Sequence, residues 1–200
     1  EARKYLREVM EELGLDVKVD AFGNMRGRRE GLEDLSPVAI GSHLDTVPEG
    51  GNYDGVVGVI AALEVIRVLN DENIKTKRPI EVVNFTSEES SRFGGATLGS
   101  KTMAGRIGVS DLNKYIDKEG TSLYKALNDN GYKPDEIESA ILKKDDIYAF
   151  IEMHIEQGPV LETENIPIGI VTSIAAPTRF RVKFFGKADH SGNTPMNMRY

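Results

Sequence analysis

The three histidines of the chain each stand in a short string with Gly, Asp or Glu. The strings are Gly41-Ser42-His43-Leu44-Asp45, Met153-His154-Ile155-Glu156-Gln157-Gly158 and Ala188-Asp189-His190-Ser191-Gly192. The chain has no cysteine, so imidazole and carboxylate are its strong ligands for a transition metal. The chemistry such groups support is hydrolysis assisted by a bound cation. His43 and Asp45 are two residues apart, which on extended backbone places both side chains on one face. A carboxylate there can take the free ring N–H of a ligating histidine and fix its tautomer. The plainer alternative is a loop histidine beside an acid. Asp54, in Gly50-Gly51-Asn52-Tyr53-Asp54-Gly55, either caps the helix that follows or bridges two metal ions through its two oxygens. Adjacent Glu88 and Glu89 point in opposite directions from extended backbone, so one can ligate while the other reaches a water. The alternative is a solvated acidic loop. His154 reads as a ligand or as a hydrogen-bonded residue at a strand end. His190 precedes a helix start at Pro195, with Thr194 as the expected cap.

These residues need elements that bring them together. Residues 2–13 carry apolar side chains at helical spacing (Tyr5, Leu6, Val9, Met10, Leu13), and Gly14 is a stop signal. Residues 16–20 alternate as a strand, and Gly23-Asn24 predicts a turn into a second one. Residues 37–42 form a short apolar strand, residues 55–69 a buried helix that is apolar nearly all round, and residues 80–86 the next strand. Strand, helix and strand make a βαβ unit with parallel strands and a right-handed crossover. Residues 96–145 have a more polar, helical pattern, with Ser110 and Thr121 as N-caps, Gly131 as a C-cap and Pro134 at a helix start. Residues 147–154 and 168–173 predict further strands, and residues 179–185 alternate as a half-exposed antiparallel strand. That change of pattern predicts a domain boundary near Ala175-Ala176-Pro177. The fold class is α/β, a mostly parallel sheet flanked by helices. Ligands of such sheets bind beyond the carboxyl ends of the strands. His43, Glu88, Glu89 and His154 all fall there.

Composition narrows the partners. Forty per cent apolar and 28% charged residues describe an ordinary globular chain. The net charge of −7 argues against nucleic acid or an anionic membrane as the main partner. The longest apolar run, residues 56–63, has eight residues, against about 20 for a bilayer span. No secretory leader pattern opens the sequence, and a cytoplasmic location is the expectation. The first residue is Glu, and the pattern at Tyr200 is unfinished, so a fragment of a longer chain is expected.

Five strings together resemble a known family: Gly-Ser-His43-Leu-Asp45-Thr-Val-Pro, Gly-Gly-Asn-Tyr-Asp54-Gly-Val-Val-Gly-Val, Glu88-Glu89-Ser-Ser-Arg-Phe, His154-Ile-Glu-Gln157-Gly-Pro-Val-Leu-Glu and Ala-Asp-His190-Ser-Gly-Asn-Thr-Pro-Met. They are similar to the N-carbamoyl-L-amino-acid hydrolase and allantoate amidohydrolase group of the two-metal aminoacylase/carboxypeptidase superfamily. The resemblance implies a zinc-exopeptidase-like catalytic domain over residues 1–175, incomplete at both ends, and the start of an α+β lid and dimerisation domain over residues 176–200. It implies two divalent metal ions per subunit, zinc or alternatively manganese or cobalt. His43 and His154 would bind one metal, Asp54 would bridge both, and Glu89 would bind the second. Glu88 would be the general base, Asp45 would orient His43, and Gln157 would contact substrate. His190 would reach the reacting carbonyl from the lid, in the partner subunit of a homodimer. The implied substrate is a small carboxylate-bearing molecule with a linear amide or ureido C–N bond. A di- or aminopeptidase and a non-catalytic metal-binding protein are the alternatives. Peptidase branches usually carry a basic residue after the bridging Asp, and Gly55 stands there instead. Ser90 replaces the family's usual Gly, and Ser191-Gly192-Asn193-Thr194-Pro195 replaces Ala-Gly-Thr-Thr-Pro. The resemblance also implies a last ligand histidine and carboxylate-gripping Asn and Arg residues beyond Tyr200.

Overall fold

The computed structural model describes residues 1–176, 178, 180 and 182–199. The chain divides into two compact units, Glu1–Gln157 and Gly158–Tyr200.

The first unit is built on a five-stranded sheet in the order β1-β2-β4-β3-β5. Helix α1 (Ala2–Glu12) leads into β1 (Asp16–Val19), which turns through Gly23-Asn24 into β2 (Met25–Arg29). These two short strands pair antiparallel with each other, and β2 pairs antiparallel with β4 (Ile80–Phe85). Strand β3 (Val38–His43) crosses over through α2 (Val56–Asp71) to lie parallel to β4, as the βαβ pattern predicts. The register sets His43 opposite Phe85, so both chains leave the sheet at the same carboxyl edge. Strand β5 (Ala149–Ile151) adds parallel to β3 at the sheet edge.

Two cores hold this unit. In the first, Leu6 and Met10 of α1 and Val59, Ala62, Leu63 and Ile66 of α2 pack on Leu15, Met25 and Val82. The apolar spacing of α1 puts its core residues one turn apart on one face. Helix α2 was expected to be buried all round, yet Ile60 is 52% exposed and Val65 and Val68 are also open. A helix on one face of a sheet buries only the stripe that meets it. The second core belongs to the segment between β4 and β5. There Phe22, Leu98, Ile107, Leu112, Leu123, Leu127 and Ile137 join α3 (Leu98–Met103), α4 (Leu123–Asp129) and the 3₁₀ turns Val109–Asp111 and Pro134–Ala140.

Local signals in this segment shift slightly. Ser122, not Thr121, caps α4, its hydroxyl accepting the Lys125 N–H at 3.2 Å. The Thr121 N–H goes to Asp117 instead, and Ser110 lies inside its 3₁₀ turn rather than capping it. Gly131 follows α4 and Pro134 opens its turn as expected.

Two strand expectations fail. The strand over residues 147–154 ends at Ile151, because β3 offers it a partner only at Val38, Ala39 and Ile40. His154 therefore leaves from irregular backbone three residues later. In the second unit, residues 168–173 form no strand, and Ile168, Ile170 and Val171 are exposed. An apolar run becomes a strand only where a neighbour satisfies its backbone N–H and C=O groups. Of residues 179–185, Arg179 and Arg181 lie outside the described residues, and the others are in no strand. This unit contains the short helix α5 (Val160–Thr163) and the 3₁₀ turn Met196–Met198. Pro195 stands at the N-terminus of that turn, and no side chain, Thr194 included, caps it. No helix among the described residues is long and apolar enough to cross a membrane.

Candidate metal centre

His43, at the end of β3, is 2% exposed. Its Nδ1 lies 2.8 Å from the main-chain carbonyl of Asp45. A carbonyl only accepts, so Nδ1 carries the proton and Nε2 of the neutral ring keeps its lone pair. That lone pair faces Asp54 Oδ1 at 3.9 Å and Glu88 Oε2 at 3.6 Å. His154 repeats the arrangement. Its Nδ1 lies 3.0 Å from the Ile155 carbonyl, and its Nε2 lies 3.1 Å from Asp54 Oδ1. The two rings are 6.0 Å apart between centroids.

Asp54 does not cap α2. Gly55 holds the N-cap position, and no side chain satisfies it. Asp54 Oδ2 accepts the Gln157 amide at 2.7 Å, whereas Oδ1 is buried without a hydrogen-bond partner among the described residues. Burying an unsatisfied carboxylate oxygen is expensive. Placing two imidazole lone pairs around it removes the expense only if positive charge sits between them. His43, Asp54 and His154 present their ligand atoms within 4.8 Å of one another, and this mixed nitrogen and oxygen set fits a divalent cation.

Gly55 makes the approach possible. It has φ +67, and a Cβ at this position would lie 2.3 to 2.5 Å from three atoms of the His43 ring. Gly58 plays the same part for His154, since a Cβ there would meet the Met153 carbonyl at 2.4 Å. The helix can thus approach the irregular strand end that carries the second imidazole.

Glu88 and Glu89 follow β4 and form a second group with His43, also within 4.8 Å. Their backbone is held from Asp45, whose two carboxylate oxygens accept the N–H groups of Glu88 (3.2 Å) and Glu89 (2.9 Å). The Asp45 carboxylate is 3.9 Å from His43 Nδ1, so it does not take the ring proton as the side-chain spacing suggested; the Asp45 carbonyl does. Burial pushes the Glu88 carboxyl above the usual carboxylate range; His43 opposes this, and the carboxylates of Glu89, Asp45 and Glu152 add to it.

Three further residues bond to the segments that carry these side chains without having been site candidates in the sequence. Glu152 Oε1 accepts the Ser42 hydroxyl at 2.5 Å, tying the His154 segment to β3. Buried Asn24 accepts the Thr86 N–H at 2.9 Å and donates to the Gly99 carbonyl at 3.2 Å, linking the hairpin to the acidic segment and α3. Asp117 pairs with Arg92 just beyond that segment. A paired Asn in a turn string and isolated acids carry no local signal for such roles.

His190 belongs to the second unit. Its Nδ1 accepts the N–H groups of Gly192 (3.1 Å) and Asn193 (3.0 Å), which leaves the ring proton on Nε2 as a free-facing donor position. The first unit brings together six of the expected residues, His43, Asp45, Asp54, Glu88, Glu89 and His154, with Gln157 bonded to Asp54.

Residues 39–198 match peptidase family M20/M25/M40. The chain is 48% identical over 203 residues to a ureidoglycolate hydrolase from Oryza sativa subsp. japonica, covering 100% of this chain and 42% of that protein. It is 44% identical over 202 residues to an N-carbamoyl-L-amino-acid amidohydrolase from Pseudomonas sp. (strain NS671), covering 100% of this chain and 49% of that protein. A crystal structure of a hydantoinase/carbamoylase family amidase from Burkholderia ambifaria superposes with a TM-score of 0.77 at 40% identity, over 98% of this chain and 48% of that one. The chain spans less than half the length of the curated relatives it matches. With a family match running over most of its length and a mixed α/β sheet that superposes on an amidase of known structure, the chain belongs to peptidase family M20/M25/M40.

Proposed function

We propose that this chain is the metal-binding part of an amidohydrolase that cleaves a linear amide or ureido C–N bond in a small, carboxylate-bearing substrate. The observation that carries the reading is the convergence of two imidazole lone pairs on the buried Oδ1 of Asp54, which has no hydrogen-bond partner among the described residues. The names of the relatives, a ureidoglycolate hydrolase and a carbamoyl-amino-acid amidohydrolase, support the bond class.

His43, Asp54 and His154 would hold one divalent cation, and Glu89, which groups with His43 and Glu88, would help Asp54 to hold a second. Such cations supply Lewis-acid polarisation of the scissile carbonyl and a nucleophile at neutral pH. The main-chain carbonyls of Asp45 and Ile155 keep both rings in the tautomer that leaves Nε2 free to ligate. Glu88 Oε2, beside His43 and half-buried, takes the proton of the attacking water and returns it to the leaving nitrogen. Gln157 meets the substrate after giving up its bond to Asp54. His190 donates from Nε2 to the developing oxyanion, from a lid and dimerisation domain beginning near residue 176 and across a homodimer.

The test is hydrolysis by the whole protein of N-carbamoyl amino acids, allantoate, ureidoglycolate and dipeptides side by side. The reading expects a ureido or carbamoyl substrate to lead, activity to vanish on chelation and to return with Zn²⁺, Mn²⁺ or Co²⁺. Dipeptides leading the panel would replace it with the peptidase reading that the family name favours. Activity indifferent to chelation would overturn it.

A further inference from the structure

The acidic segment carrying Glu88 and Glu89 runs directly into Arg92, and the guanidinium of Arg92 meets a carboxylate from a remote part of the chain. Arg92 Nε donates to Asp117 Oδ2 at 3.0 Å, and Nη2 stands 2.9 Å from the same oxygen. The Asp117 side chain is 2% exposed. It lies between the 3₁₀ turn Val109–Asp111 and α4, within the segment that has its own core. Its other oxygen accepts the N–H groups of Glu119 (3.1 Å) and Thr121 (2.7 Å). Asp117 is therefore fixed by its own loop on one side and presents the second oxygen as a rigid acceptor.

We propose that the Arg92–Asp117 pair is a positioning tether, by which the helical segment between β4 and β5 sets the placement of Glu88 and Glu89. The proposal rests on the reading of those two residues given under Proposed function. Hydrogen bonds at both ends hold the acidic segment. The Asp45 carboxylate takes the N–H groups of Glu88 and Glu89, the Glu88 carbonyl accepts the Thr97 N–H at 2.5 Å, and the Ser87 carbonyl accepts the Leu98 N–H at 2.9 Å. These act on the start of the segment. The Arg92 fork is the contact at its far end. The Phe93 ring, 4.9 Å from the guanidinium carbon, packs against the second core and marks the point where the segment joins the helical part. Arg92 is 55% exposed, so solvent screens the pair from that side, while the buried Asp117 keeps its two backbone N–H donors. The output of the pair is geometric. An outer contact that orients a ligand or base acts on affinity and rate more than on folding. Arginine suits the task because its planar fork places two N–H groups on one acceptor, which an ammonium does with less directional control.

The test uses the whole protein with Arg92→Met, Asp117→Asn and Arg92→Lys. Asn at 117 keeps an oxygen for the Glu119 and Thr121 N–H groups and removes the charge that faces Arg92. Hydrogen exchange of a peptide spanning residues 87–93, measured without added metal, reports the tether directly. Zinc titration and steady-state kinetics report its consequence. In Arg92→Met and Asp117→Asn, exchange of the peptide should speed up about tenfold while the core strands keep parental protection. kcat should fall about 10- to 100-fold with KM nearly unchanged, and Arg92→Lys should restore most of both. Parental exchange in both variants would overturn the proposal. So would faster exchange with parental kcat and zinc affinity, or a loss of activity that only tracks a lowered Tm. A parent without chelator-sensitive hydrolysis but with the exchange difference would sink the functional reading and leave the tether supported.

Discussion

His43 and Asp45 meet through the main chain. The Asp45 carbonyl, 2.8 Å from Nδ1, fixes the imidazole, while the Asp45 carboxylate faces the other way and takes the N–H groups of Glu88 and Glu89. One residue thus sets the tautomer of a candidate ligand and the backbone of the candidate base. Asp45→Ala should leave His43 protonated at Nδ1, visible in imidazole ¹⁵N NMR, yet lower activity about 10- to 100-fold through the freed acidic segment. A shift of the ring proton to Nε2 in that variant would show that the carboxylate governs the ring after all.

Glu88→Gln removes the half-buried carboxylate beside His43 and keeps its shape. Turnover should drop by about 10²- to 10⁴-fold, with metal content near that of the parent. Kinetics and elemental analysis on one preparation check both halves. Wild-type turnover in this variant would remove Glu88 from the base role.

Zinc should raise the Tm of the parent, because the lone pairs around Asp54 Oδ1 are then satisfied. At 100 times Kd the stabilisation is about 2.7 kcal/mol. Asp54→Ala should abolish the zinc-dependent part of the shift, as read by thermal melts with and without chelator.

Gly55→Ala sets a methyl group against the His43 ring and forces a side chain into the left-handed backbone region, at φ +67. The expected cost is about 1–3 kcal/mol, accompanied by weaker zinc binding. Gly51→Ala, where a Cβ would meet nothing within 4 Å, is the matched control. Equal denaturation midpoints for the two variants would count against the close approach.

Burial alone would raise the Asp117 carboxyl, but the Thr121 N–H, the Arg92 guanidinium and the Glu119 N–H together hold it below its ordinary value of 3.8. A depressed folded-state value means that the stabilisation is fully present above the unfolded value and is lost as pH falls through the folded one. Protection of residues 87–93 should therefore survive acidification to about pH 4 and disappear below the ordinary carboxylate range. A carboxyl ¹³C titration of Asp117 reads the same event directly. A midpoint above 3.8 would reverse the sign of this argument.

Much of this chain is legible in its sequence. The apolar runs at residues 37–42 and 80–86 and the helix between them determined a parallel βαβ unit, and with it the delivery of His43, Glu88 and Glu89 to one sheet edge. The absence of cysteine limited the donor set to imidazole and carboxylate. These conclusions rest on periodicity, chain direction and residue chemistry, which are properties of neighbouring residues. The tertiary structure decided the rest. It freed Asp54 from capping α2, ended β5 before His154, brought Gln157 onto Asp54, tied Glu152 to Ser42, and bonded Asn24 to Thr86. It turned the Asp45 carboxylate away from the ring its spacing had assigned to it and paired Arg92 with Asp117. Each outcome depends on which donor meets which lone pair across long stretches of chain. Local spacing supplies the candidates for such a meeting, and packing selects the partner.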